Sequence, residues 1–261
     1  MITINETNFP DANFRNWLLA QDYGKDGVLT EEAIKGITVI DVAEQDISSL
    51  KGIEHFTALT KLDCSWNRLT SLNVSGCTAL KELRCFLNKL TDLDLSGCTA
   101  LTILHCSQNN LTTLDLSGCT ALKVLFCACN ELTDLDVSGC TVLTGLDCEW
   151  NNLTNLNVSG CTALTSIDCF GNKLTTLDLS GCTALTFLHC YYNQLKGAAM
   201  DRLIESLPQK EGYGYLYVHK DKQPHDENVC TKAQVTAARG KGWGVFAIYD
   251  KVREDYEGCD A

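Results

Sequence analysis

Cysteine is the residue whose placement here most invites chemistry. Of the 16 cysteines, seven recur at 21-residue intervals: Cys64, Cys85, Cys106, Cys127, Cys148, Cys169 and Cys190. Six more keep the same interval in a second series: Cys77, Cys98, Cys119, Cys140, Cys161 and Cys182. Thiols in such numbers can cross-link, bind zinc, or serve as small apolar groups. Stacked neighbours in one series would have Cα atoms about 5 Å apart, within disulfide range, but with parallel rather than converging Cβ vectors. Zinc needs four converging ligands, which a one-dimensional stack does not supply. Buried free thiols are therefore expected, with a disulfide or metal ladder as the alternative.

Two other sets of side chains share that interval. Asp147, Asp168 and His189 would stack about 5 Å apart, an arrangement suited to acid–base work. An open sheet offers no pocket to exclude water or move a pKa, so a surface role is expected for these residues, as for His105. Asn73, Asp94, Asp115, Asp136, Asn157 and Asp178 form another column, whose like charges repel unless hydrogen bonded. An Asx-type turn with the following backbone is expected there, with bound cations as the alternative.

The element that positions all of these is a repeat. Leucine returns at Leu59, Leu80, Leu101, Leu122, Leu143, Leu164 and Leu185, and the repeated pattern reads L-x-x-L-x-C-x-x-N-x-L-x-x-L-x-[LV]-S-G-C-T-A. A looser unit with Ile37, Ile40, Val42, Ile47 and Leu50 precedes them, with Gln45 in the Asn place. A single coil of this length cannot enclose its own leucines. Stacked coils can, and their x-L-x segments then pair as a parallel sheet with strands about 4.8 Å apart. Because Leu and Cys at positions four and six point inward, positions three and five point outward. The Asn column from Asn67 to Asn193 stands where buried turns need both donors and acceptors. The Gly column from Gly76 to Gly181 is expected at positive φ.

The L-x-x-L-x-C-x-x-N-x-L segment is similar to the leucine-rich-repeat signature, with Cys where that family often has Leu. The helix-poor repeat and its flanks resemble the internalin-like group of bacterial cell-surface proteins. The Ser-Gly-Cys-Thr-Ala turn departs from that pattern, so a differently shaped convex side is expected. The resemblance implies a right-handed leucine-rich-repeat solenoid of the α/β class with a parallel sheet on its concave face. It also implies a location on the cell surface or in secretion, while the many free thiols keep a cytoplasmic home open.

A solenoid needs caps over its open ends. Residues 1–36 read as a helical N-terminal cap, 37–195 as the solenoid and 196–261 as an α/β C-terminal cap. Pro10 suits the opening of the first helix, with Phe14, Trp17 and Leu18 on one face, and Thr30 caps a second. Between them lies a loop similar to a calcium loop of the EF-hand kind, with Asp22, Asp26 and Gly27 in place. Gly24 replaces one ligand and Ala33 the required bidentate Glu, so a structural loop is expected, and calcium at Asp22 and Asp26 is the alternative. Near the other end, Met200, Leu203, Ile204 and Leu207 mark a helix that Pro208 ends. A strand at 215–219, a helix opened by the capping box of Thr231 and Gln234 and stopped by Gly240, and a strand at 245–249 follow.

A formal net charge of -12 argues against nucleic acid, and no apolar run is long enough for membrane insertion. The first residues show no export signal, so either the protein stays in the cell or a signal lies outside this chain. No cofactor is expected beyond the calcium alternative, and oligomeric state is not legible. Function should lie in side chains the repeat leaves free. Ile103, Val124 and Phe126 are expected to form an apolar patch beside Arg84 and His105. Trp66, Phe86, Trp150, Phe170, Phe187, His189, Tyr191 and Tyr192 complete a concave-face site for a protein or glycan, aromatic and Arg side chains being the usual anchors. The expected function is a non-catalytic binding scaffold, the alternatives being a structural spacer or adhesin stalk and, more distantly, a hydrolase.

Overall fold

The computed structural model describes residues 1–220, 226–249 and 252–260. Two compact units make up the chain, Met1–Leu122 and Lys123–Ala261.

In the first unit the opening helix spans Ala12–Ala20, and Asp11 rather than Pro10 opens it. One Asp11 oxygen accepts the Phe14 N–H, and the other accepts from the N–H and hydroxyl of Ser48. A first helical turn needs an acceptor for its free N–H groups, and proline supplies none, so it sits one residue outside. Phe14 and Leu18 face the interior, and Thr30 caps the second helix, Glu31–Gly36. The coils follow. Val39–Asp41, Lys61–Asp63, Glu82–Arg84 and Ile103–His105 pair in parallel, Lys61 opposite Glu82 and Glu82 opposite Ile103. Their central residues Ile40, Leu62, Leu83 and Leu104 are buried, as alternation along a strand requires.

The second unit continues with the same three-residue strands, Val124–Phe126, Gly145–Asp147, Ser166–Asp168 and Phe187–His189, again parallel. Two longer strands, Gly214–Lys220 and Trp243–Tyr249, extend this sheet in parallel, with helices Ala198–Ser206 and Lys232–Gly240 between them. The capping box of Thr231 and Gln234 is present, but Gly240 lies inside the helix, and Gly242, at φ +82°, is the residue that turns the chain. A further strand, Val252–Asp255, pairs antiparallel on Trp243–Tyr249. That strand was not expected, because Val-Arg-Glu-Asp carries no apolar alternation.

Within each unit the Asn column binds coil to coil. Asn67 accepts the Ile47 N–H at 2.8 Å and donates to the carbonyls of Val42 at 2.7 Å and Cys64 at 3.1 Å. Asn172 repeats this with the Leu153 N–H and the Cys148 and Cys169 carbonyls. Both cysteine series are buried, and none of their members is joined in a disulfide. In the second series the thiols reach back one coil: Cys98 donates to the Val74 carbonyl at 3.4 Å and Cys161 to Val137 at 3.2 Å. The acidic column makes the expected turns, with Asp94, Asp115, Asp136 and Asp178 each accepting the N–H of the serine two residues on. Hydrogen bonds from Ser117, Ser138 and Ser180 hold the Asp115, Asp136 and Asp178 carboxyls below the ordinary carboxylate range.

The glycine column behaves differently from expectation. Of its six members only Gly160 takes positive φ, while Gly76, Gly97, Gly118, Gly139 and Gly181 do not. At Gly76 and Gly97 the need is space, since an added Cβ would run into the carbonyl oxygens of Glu54 and Ser75 on the preceding coil. Left-handed backbone occurs instead just before each Asn. Trp66, Leu87 and Gln108 adopt it in the first unit, and Cys129, Trp150, Gly171 and Tyr192 in the second. There the chain leaves the strand and turns the next side chain, the Asn amide, inward. Gly97→Ala is expected to cost about 1–3 kcal/mol because backbone must shift. Gly139→Ala, where an added Cβ meets nothing within 4 Å, should stay within about 0.5 kcal/mol of wild type. Urea denaturation of both variants checks this, and equal losses would show that space is not the reason for glycine.

Candidate binding face

The outward side chains of the second unit are aligned by sheet register. Phe126, Asp147, Asp168, His189, Tyr217 and Phe246 form one row across successive strands. Val124, Gly145, Ser166, Phe187 and Tyr215 form the row beside it. Beyond the strand ends stand Trp150, Phe170, Tyr191 and Tyr192. Their rings are in mutual contact: Phe170 stacks on Tyr191 with centroids 4.4 Å apart, and Trp150 lies 5.9 Å from both Phe170 and Tyr192. His189 links this group to the strand rows, 4.4 Å from Phe187 and 4.3 Å from Tyr217. Tyr217 in turn lies 5.3 Å from Phe246. Such ring pairs add about 0.5–1.5 kcal/mol each beyond the area they bury. Trp150 is 49% exposed and Phe126 38%, whereas Tyr191 is buried and supports the face from beneath. Gly171 makes room for this packing, since a Cβ there would fall against the Trp150 ring.

Carboxylates lie among the rings. Asp147 accepts the Glu149 N–H at 3.3 Å, and Asp168 pairs with Nδ1 of His189. Burial pushes the Asp147 carboxyl above its ordinary range. Glu149 is pushed up to about 7, by burial first and then by the charges of Asp147 and Asp168. Burial first, and then the charges of Glu149 and Asp168, raise the Tyr191 phenol. Among the described residues His189 makes no hydrogen bond to a serine, threonine or cysteine.

The first unit holds the remaining residues expected at the site. Trp66 is 55% exposed in left-handed backbone. Arg84 pairs through Nε with Glu82 at 2.7 Å, and Lys61 reaches the same Glu82 oxygen at 3.3 Å. Phe86 stacks on His105 with centroids 4.3 Å apart. Burial and then the Arg84 charge lower the His105 pKa. Ile103, on the same strand as His105, is half-buried. The expected patch of Ile103, Val124 and Phe126 is thus divided between the two units. Asp22 and Asp26 are exposed, Asp22 lying 3.9 Å from Lys25. Among the described residues no group of three or more His, Cys, Asp or Glu side chains is placed to hold a metal ion.

Sequence reasoning missed Tyr215, Tyr217, Phe246 and Arg253. Tyr215-Leu216-Tyr217 aligns with Phe187-Leu188-His189 in the sheet, and the shared x-Leu-x pattern was the available signal. Arg253 lies over Phe246 at 4.0 Å and Tyr215 at 5.4 Å from the ring centroids.

Stacked 21-residue coils with inward leucines, an Asn ladder and parallel three-residue strands define a leucine-rich-repeat solenoid. Residues 9–138 match the model of the leucine-rich-repeat domain of the endo-β-N-acetylglucosaminidase EndoS. Internalin J of Listeria monocytogenes is 40% identical over 68 residues, which are 26% of this chain and 7% of that protein. The solved functional domain of internalin J, described as including a cysteine ladder, superposes with a TM-score of 0.62 at 32% identity, covering 95% of this chain and 57% of that one. The structure of internalin C2 from the same species has a TM-score of 0.62 at 20% identity, covering 77% and 93%, and shares the fold. The chain is an internalin-like leucine-rich-repeat protein with a cysteine ladder, and it spans a small part of the curated relative it matches. Among the described residues no helix is long and apolar enough to cross a membrane.

Proposed function

We propose that the chain is a non-catalytic scaffold that binds a protein partner on the sheet face of its second unit. The observation that carries this reading is the continuous set of ring contacts from Trp150 through Phe170, Tyr191 and His189 to Phe246, at the edge of which Trp150 and Phe126 stand open to solvent. Partly exposed, rigid aromatic side chains on a fixed sheet lose little entropy on binding and bury much area, as interface anchors do. A repeat used only as a spacer has no need of them. A surface or secreted location is what the likeness to internalins supports, and a glycan is the other ligand class that stacks on such rings.

A panel of candidate proteins and glycans, measured with wild type, Phe126→Ala and Trp150→Ala, tests the proposal. For a ligand bound by wild type, Trp150→Ala is expected to weaken affinity at least about 30-fold, the equivalent of about 2 kcal/mol. Val142→Ala, on the exposed turn far along the coil, should leave it unchanged. Full retention of every partner by both aromatic variants would leave the stiff spacer as the reading.

A further inference from the structure

The charges set among the rings indicate what kind of protein this face takes. We propose that Asp147, Glu149 and Asp168, with the Trp150 and Phe170 rings beside them, receive lysine or arginine side chains from a basic segment of the partner. The inference rests on the protein-binding reading above and narrows it.

Four observations carry it. First, the face provides room beside the acids. Gly145 and Ser166 are the smallest residues of their row, and a Cβ added at Gly145 would meet nothing within 4 Å. A long side chain can therefore lie along the row between Val124 and Phe187 and end at the carboxylates. Second, among the described residues neither Asp147 nor Glu149 has an ion-pair partner, while Asp168 has only His189. Third, Asp147 and Glu149 are partly buried beside Asp168, which penalises the ionised forms of Asp147 and Glu149, as the raised positions of both record. An arriving cation relieves that repulsion, so the gain exceeds that of a lone exposed pair. Fourth, the fold already places a cation on these aromatics. The Arg253 guanidinium sits over Phe246, whose neighbour Tyr217 touches His189. Trp150 and Phe170 offer rings of the same kind beside the acids, and cations favour such ring faces. The net charge of -12 draws a basic segment toward the protein and repels an acidic one.

The test titrates the whole chain with a short peptide alternating arginine and glycine, followed by calorimetry, alongside an acidic peptide of equal length and a neutral oligosaccharide. The arginine peptide is expected to bind and the other two are not. The double variant Asp147→Asn/Glu149→Gln should weaken the arginine peptide at least about tenfold at low salt. A charge-matched control, Asp134→Asn/Glu205→Gln, changes exposed acids on other elements of the same unit and should change affinity less than about twofold. Thermal melts of both variants confirm folding. Wild-type affinity should rise as pH increases through about 7, because Glu149 then loses its proton. Asp147, Asp168, His189, Tyr191 and Cys129 face the same spot. The single variant Glu149→Gln should flatten the rise.

Equal weakening by both double variants would reduce the effect to net charge and overturn the proposal. So would absence of peptide binding, or binding that the face variant leaves intact. A protein partner that depends on Trp150 but not on Asp147 and Glu149 would overturn the basic-segment inference while leaving the binding face standing. Loss of both dependences would remove the face itself.

Discussion

Asn151→Ala is expected to destabilise the protein by about 3–5 kcal/mol, far beyond the loss of its small side-chain volume. Its Oδ1 accepts the Leu132 N–H at 3.0 Å, and its Nδ2 donates to the carbonyls of Cys127 at 3.0 Å, Cys148 at 3.2 Å and Glu149 at 3.2 Å. Residue 151 is buried, so water cannot replace those bonds without opening the coil. Each buried polar group left without a partner costs about 1–3 kcal/mol, and alanine strands several at once. The exposed Asn155→Ala is the control and should stay within about 0.5 kcal/mol. Urea denaturation at fixed pH compares them. A loss below about 1 kcal/mol at Asn151 would show that the amide ladder is incidental to cohesion. Because the Glu149 carbonyl and the Trp150 turn depend on the same amide, Asn151→Ala should also weaken binding at the face.

The second large effect is kinetic. Native protein should expose almost no reactive thiol, whereas all 16 should react once denatured. The thiolate is the reactive form, and ordinary cysteine ionises near 8.5. Burial pushes Cys106 up to about 12, and Cys161 to about 12 with help from the neighbouring thiols Cys182 and Cys140. At pH 8 that lowers the thiolate fraction roughly thousandfold before access is considered. Cys129 and Cys259, half-buried, are the ones expected to label first. Counting alkylated thiols by mass spectrometry over time, with and without urea, reads this directly. Rapid native labelling across the Cys64 to Cys190 series would mean that the coils open far more readily than their packing implies.

The 21-residue period made most of the architecture readable before any coordinates. Leu62, Leu83 and Leu104 had to be inside because a lone coil cannot cover them, and the Asn column had to bond backbone because no water reaches a buried turn. What failed were arguments from residue type without neighbours. Glycine at Gly97 suggested a special dihedral, but the constraint is the Ser75 carbonyl of the preceding coil, which no single repeat reveals. Pro10 suggested a helix start, but Asp11 is tied to Ser48 as well as to its own helix, a long-range bond invisible in a local window. The face was half legible. Columns of outward residues could be written down for the regular coils, but Tyr217 and Phe246 join the row only after helices have been inserted between strands, which ends the count by period. Asn228 shows the same limit. It continues the Asn ladder, donating to the Cys190 carbonyl at 2.8 Å, yet stands outside the 21-residue spacing.

The left-handed station before each Asn has a further consequence. Glycine would sit there without steric penalty, and Gly171 does, but Trp66, Trp150 and Tyr192 occupy it at an expense of order 1 kcal/mol each. On the proposed function, fold and recognition therefore pull in opposite directions at one geometric address, repeated coil after coil. The main chain there is fixed by its neighbours, while the group it displays is open to exchange. A lineage or a designer can rewrite what such a surface recognises by changing one residue per coil, leaving the stack itself untouched.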